Sequence, residues 1–161
     1  MNSDASQDRN FERTRLAAEE EYRSIGEVRC PYFGESVAFN AKGLEHVKFK
    51  SKRRLRERSD AFVRFKNLRL APVVLKLSNT LQEKHTRKVL VDAKSHGRRW
   101  RTLKDCDYYG FIAILRDGNF TKRLKVVVRQ VEGGEKHFWS VIPYWKSNKQ
   151  IKLHSGDMEE D

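Results

Sequence analysis

Near residue 86 the apolar period of the chain changes, and no other feature narrows the fold as far. From there "RKVLVDA", "YYGFIAIL", "RLKVVVRQV" and "KHFWSVIP" follow one another, runs rich in Val, Ile, Phe and Tyr. Short β-branched and aromatic runs bounded by turn residues predict strands. Two of the joints carry hairpin chemistry, Asp117-Gly118 in "RDGNFT" and Gly133-Gly134 in "VEGGEK". Glycine there allows the positive φ that tight hairpin turns require. Consecutive hairpins make a meander of about four antiparallel strands. The stretch "KSHGRRWRTLKDCD", between the first two runs, reads as a basic loop.

Upstream the pattern is helical. Residues 1 to 10 are polar and are expected to form a disordered tail, and "NFERTRLAAEEEYRSIG" predicts a helix over 10–26 that Gly26 terminates. "VRCPYFGESVAFN", interrupted by Pro31 and Gly34, predicts a bent strand or extended entry segment. Asn40 can cap a helix beginning "AKGLEHVKFKSKRRLRER", and Pro72 suits the first turn of another short helix. After Trp145 the chain turns polar and ends "GDMEED". The expected organisation is one α+β domain over 11–146, with N-terminal helices packed on one face of a roughly four-stranded antiparallel sheet meander. A flexible, acidic-ending tail over 147–161 follows.

Charge points to the partner. Lys and Arg total 34 against 22 acids, a net charge of +12. Between Lys42 and Arg58 alone, eight basic residues face two acids. Such clustering favours a polyanion, because bound phosphates release counterions from nucleic acid. No apolar run approaches the ~18 residues of a membrane span, so no membrane partner is expected. The opening "MNSDASQDRNFERTR" lacks the apolar centre of a signal peptide. Cys30 and Cys106 lack metal-ligand spacing, which favours a reduced, cytoplasmic setting.

Several residues could carry chemistry. On a helix from Ala41, Leu44, Val47 and Leu55 share a stripe that His46, Lys50 and Arg53 avoid, so His46 is expected on the basic side rather than in the core. In the last strand, alternation groups His137, Trp139 and Val141 against Lys136, Phe138, Ser140 and Ile142. In the strand before it, Leu124, Val126 and Val128 predict the side beneath the helices, and Arg129 the opposite, open side. Register is not fixed by the sequence, so Arg129 joins either His137 and Trp139, or Lys136 and Ser140. Metal-independent RNA cleavage needs a base for the 2′-hydroxyl, an acid for the leaving 5′-oxygen and fixed cations for the phosphorane. Histidine serves either proton transfer, Arg clamps phosphate bidentately, and an aromatic ring stacks an unpaired base. The catalytic candidates are His46, His137, Arg129 and Ser140. The substrate-binding candidates are Lys42, Lys48, Lys50, Arg53, Arg54, Arg87, Lys136 and Trp139. Arg87 and Gln82 read equally as solvated polar positions. No cofactor or metal is called for: His85 and His96 have no partners at ligand spacing, and the chain shows no phosphate-cradling glycine loop.

The order of parts carries a resemblance. Extended "VAFNAKGLEHVKFK" enters a histidine-bearing helix, "LRLAPVVLKLSNT" supplies a second helix, and a meander ends "KHFWSVIPYW". Over roughly 35–146 this resembles the phage and polymorphic-toxin nucleases of the barnase–EndoU–colicin–RelE-like class. The resemblance implies a metal-independent ribonuclease acting on tRNA or mRNA and held in check by an antitoxin or immunity protein. It also implies that His46, near Lys42 and Lys48, pairs functionally with Ser140 and Trp139. Because Ser140 directly follows Trp139, both can line one pocket only across a bulge. Two other readings stand beside it. One is a non-catalytic nucleic-acid-binding module of a phage or mobile element. The other is an accessory protein whose acidic tail shields a basic surface.

Overall fold

Helix α1 (Asn2–Ile25) ends where Gly26 takes a φ of +70°, the left-handed conformation that glycine adopts without strain. The computed structural model describes residues 2–51, 54–144 and 158–159. α1 begins well before residue 10, so the segment expected to be a disordered tail is helical from Asn2. Contacts far along the chain hold this early part: Asp8 pairs with Arg58, and Phe11 packs at 6.2 Å and 6.1 Å from Phe62 and Phe65. Further along, Tyr22 is buried and donates its hydroxyl to Asn40 O at 2.7 Å.

Strands β1 (Glu27–Cys30) and β2 (Glu35–Ala38) form an antiparallel hairpin turned at Pro31–Gly34. Asn40 then caps α2 (Ala41–Lys48), its side chain accepting from Gly43 N at 3.3 Å. Here the structure departs from the expected long basic helix. α2 stops at Lys48, and a small hairpin of β3 (Phe49–Ser51) and β4 (Arg54–Leu55) replaces its continuation. In a helix, Lys48 with Lys52 and Lys50 with Arg54 would stand as like-charge pairs at i,i+4, which repel. Leu55, expected on the buried stripe, is 68% exposed. α3 (Arg58–Asn67), a 3₁₀ turn over Leu68–Leu70 and α4 (Ala71–Leu77) follow, with Pro72 in the first turn of α4 as expected.

The four C-terminal strands, β5 (Glu83–Ser95), β6 (Arg98–Asp117), β7 (Phe120–Val131) and β8 (His137–Pro143), form the expected antiparallel meander. The whole sheet is larger and mixed. Its order is β1-β2-β8-β7-β6-β5, because β2 adds to β8 in parallel through Ala38 and His137. The fold is α+β, with helices on a six-stranded sheet. The supposed basic loop is not a loop: β5 and β6 pair without interruption to Ser95 and Arg98, turning at His96-Gly97 with φ of 50° and 79°.

One core lies between helices and sheet. Leu124, Val126 and Val128 of β7 meet Phe138 and Val141 of β8, Tyr22 of α1, Leu44 and Val47 of α2, and Val74 and Leu75 of α4. Burying each such side chain contributes about 1.5–3 kcal/mol. The opposite face of β7 is not open as expected. Val127 and Lys125 are fully buried, and Met158 covers Val127, Cys106 and Tyr108. Met158 sits where Gly110 leaves room, its sulfur 2.9 Å from the position a β-carbon would take. Among the described residues, no helix is long and apolar enough to cross a membrane.

Candidate functional site

The surface where α2 meets β8 gathers five of the twelve catalytic and binding candidates. Gly43 allows the approach: a β-carbon there would collide with Phe138 O and come within 2.6 Å of the Tyr22 hydroxyl. With α2 this close, His46 stacks on Trp139, their ring centroids 3.9 Å apart and 17° from parallel. Trp139 occupies a β-bulge. Val127 pairs with Ser140 and Val128 with Phe138, so Trp139 is the extra residue of β8. Bulges re-aim side chains, and this one interrupts the alternation assumed for the last strand.

Register settles which residues join Arg129. Its cross-strand partner is His137. The Arg129 guanidinium lies 4.7 Å from the Trp139 ring centroid and donates from Nε to the Tyr108 hydroxyl at 3.2 Å. The result is an open groove of about 460 Å³ lined by Lys42, Glu45, His46, Phe49, Lys50, Arg129, Trp139 and Glu159. Lys42, Glu45 and Lys50 are exposed on its rim. Glu159 enters from the chain's last described residues. Its carbonyl accepts from Trp139 Nε1 at 3.2 Å, and its carboxylate pairs with Arg87 at 3.4 Å.

Both histidines differ from expectation. His46 is 6% exposed rather than projecting from a basic face. Arg56 Nη2 lies 2.9 Å from His46 Nε2, and Arg56 Nε donates to His46 O at 2.9 Å. Since a guanidinium only donates, Nε2 accepts and the ring proton belongs to Nδ1. His137 is 3% exposed, does not line the groove, and its Nε2 is buried with no partner among the described residues. Burial first, then the positive charges of Arg129 and Lys42, push its pKa down to about 4, against a smaller opposing effect of the Glu135 backbone. His137 is therefore neutral at pH 7.

Ser140 is fully buried, and it accepts from Arg64, itself 1% exposed. Arg64 Nε pairs with Asp60 at 2.6 Å, and Asp60 also takes Arg56 Nη1 at 3.3 Å. A chain of polar contacts therefore runs His46–Arg56–Asp60–Arg64–Ser140, buried except at the half-buried Asp60, tying α2 through α3 to β8. Ser140 belongs to this support and does not face the groove. None of Arg56, Asp60 and Arg64 was singled out from the sequence. The only available signal was the i,i+4 spacing of the three residues, which also describes an ordinary exposed helix face.

The remaining candidates scatter. Lys48 turns to α1, pairing with Glu19 at 2.7 Å. Lys136 pairs with Glu35 and lies 5.0 Å over the Phe33 ring, away from the groove. Arg54 is exposed in β4 and lines no part of the groove. Arg87 reaches only its margin, through Glu159, and Arg53 lies outside the described residues. Glu45, an acid within a basic site, was not anticipated; Glu159 belongs to the acidic tail that the accessory-protein reading set against the basic surface. Among the described residues, no three His, Cys, Asp or Glu side chains group to hold a metal ion. Comparison with family models, with curated proteins and with solved structures finds no match.

Proposed function

We propose that this groove binds RNA and that the chain is a metal-independent endoribonuclease. One observation carries the proposal: Arg129, Lys42 and Lys50 converge with the His46–Trp139 stack on a single open hollow. In the reaction, the 2′-oxygen attacks the adjacent phosphorus as the P–O5′ bond breaks. The products are a 2′,3′-cyclic phosphate and a 5′-hydroxyl. Arg129 clamps the phosphate and offsets the charge of the phosphorane, and Lys42 and Lys50 hold flanking phosphates. His46 is the donor toward the leaving oxygen once Nε2 turns from Arg56 and takes up a proton: the imidazolium then gives its Nδ1 proton to that oxygen and returns to the neutral ring. The 2′-proton passes to Glu45, an exposed carboxylate on the groove wall. Trp139 fixes the His46 ring, His137 acts as a positioning residue, and Ser140 belongs to the buried support beneath the groove. Substrates of the tRNA or mRNA class, a cytoplasmic setting and an acidic antitoxin or immunity protein covering the same cations belong to the same proposal.

A second reading has its own support. His46 Nε2 is engaged by Arg56, and His137 is buried, so neither imidazole offers an accepting nitrogen in the groove through those atoms. That favours a module that binds nucleic acid without cutting it. Incubating the protein with total RNA in chelator separates the two. Cleavage yielding cyclic-phosphate ends, reduced at least about a hundredfold in His46→Ala, Glu45→Gln and Arg129→Ala, supports the nuclease. Salt-sensitive binding without cleavage supports the second reading. Undiminished cleavage by Arg129→Ala sinks the groove as the active centre.

A further inference from the structure

The β5–β6 hairpin outruns the sheet. Pairing of β6 with β7 begins at Cys106, so residues 88–95 and 98–105 form ladder pairs only with each other, apart from Asp105, which also bonds to Glu132. These eight pairs make a ribbon about 26 Å long. Val89 at its base packs against the small cluster under Met158, but beyond it the ribbon is open: Leu90 and Leu103 are 62% exposed and Trp100 is 47% exposed. A two-stranded ribbon is marginal by itself, and these exposed side chains add little packing to it.

Its two faces differ. On one, Lys88 faces Asp105 at 2.7 Å and Arg101 faces Asp92 at 3.4 Å, which balances charge, whereas Lys94 lies directly opposite Arg99. A like-charge cross-strand pair is destabilising. On the other face, Arg98, Trp100 and Lys104 lie opposite the small or apolar Ser95, Ala93 and Val89. That face carries no acid along its length. Lys94, Arg98 and Arg99 make no ion pair among the described residues. By strand alternation the Trp100 face continues into Tyr108, the cross-strand partner of Arg129, so arm and groove share one side of the sheet.

We propose that this arm is a second RNA-contacting surface, taking the single strand as it leaves the groove. Trp100 stacks an unpaired base, and Arg98, on the same face, neutralises a phosphate. This rests on the reading of the groove as an RNA site, and the test separates the two. Fluorescence anisotropy compares an RNA of no more than about 4 nucleotides with one longer than about 16. The wild type, the double variant Arg98→Ala/Trp100→Ala, Trp100→Phe and Arg129→Ala are measured at several salt concentrations. The arm variant is expected to bind the long RNA about tenfold or more weakly, with a shallower salt slope. It should bind the short RNA as the wild type does, with unchanged thermal unfolding, and Trp100→Phe should retain most of the affinity. Arg129→Ala should weaken both RNAs. Equal binding of the long RNA by wild type and arm variant overturns the proposal. So does equal weakening of both RNAs, or an arm effect seen only with an acidic protein. Failure of the wild type to bind either RNA overturns the groove reading itself, and the arm proposal with it.

Discussion

Burial, more than charge, decides what His137 can do. Its pKa is pushed down from the usual 6.5 to about 4. Between those values the unfolded chain is protonated and the folded chain is not, so the unfolded state binds more protons and stability rises with pH. Stability is accordingly lost as pH falls from about 6.5 to about 4, by about 3 kcal/mol over the full window. His137→Phe should flatten the dependence of melting temperature on pH between 5 and 7; parallel profiles for both proteins would reject this origin. Arg64 offers a second case. It is 1% exposed and holds Asp60 and Ser140. Arg64→Leu should cost about 3–5 kcal/mol in denaturant unfolding, because it strands buried polar partners. Ser140→Ala should cost about 1–3 kcal/mol yet leave the cleavage rate of the folded fraction nearly unchanged. A large loss of rate with native stability would return Ser140 to the reacting atoms. Composition hinted at neither role, since an arginine in a basic chain looks solvated until its burial is known.

Among the elements, those with local chemistry were legible. Gly26 stops a helix, Asn40 caps one, Pro72 opens one, and the Asp117-Gly118 and Gly133-Gly134 turns join strands, all features set by residues within a few positions of each other. Elements decided at long range were not. α1 reaches back to Asn2 where Asp8 and Phe11 meet α3, and the bulge at Trp139 arises from the register of two strands. Of the site, Lys42, His46, Lys50, Arg129 and Trp139 were found from charge, stripe and aromatic cues. Ser140 was misplaced because strict alternation was assumed through the bulge, and Lys136 because it lies before β8, where it pairs with Glu35. The contact between α2 and β8 allows a direct test. Gly43→Ala should force α2 away from Phe138, destabilise the protein by about 1–3 kcal/mol and part His46 from Trp139. Cleavage should fall although no cation has been removed; a variant with wild-type stability and rate would show that the helix adjusts freely.

For the molecule as a whole, the sheet divides two tasks. One face carries the apolar core under α1, α2 and α4, and the other carries Arg129, Tyr108 and the smaller cluster closed by Met158. Spreading +12 over such a body predicts steep salt dependence of RNA binding. Replacing Lys42, Lys50 or Arg129 singly with Ala should lower the logarithmic salt slope by roughly 0.7 each, the increment for single strands. Unchanged slopes would move the phosphate path elsewhere. Met158 also sets an order in time. Domains assemble as the chain is synthesised, N-terminal parts first, yet the notch at Gly110 can be filled only once residue 158 has emerged. Until then Val127 and Cys106 lack their cover and the Trp139 indole its acceptor on Glu159. The hydrophobic interior can therefore form on the ribosome, while the side bearing Arg129 is finished only once residue 158 has emerged.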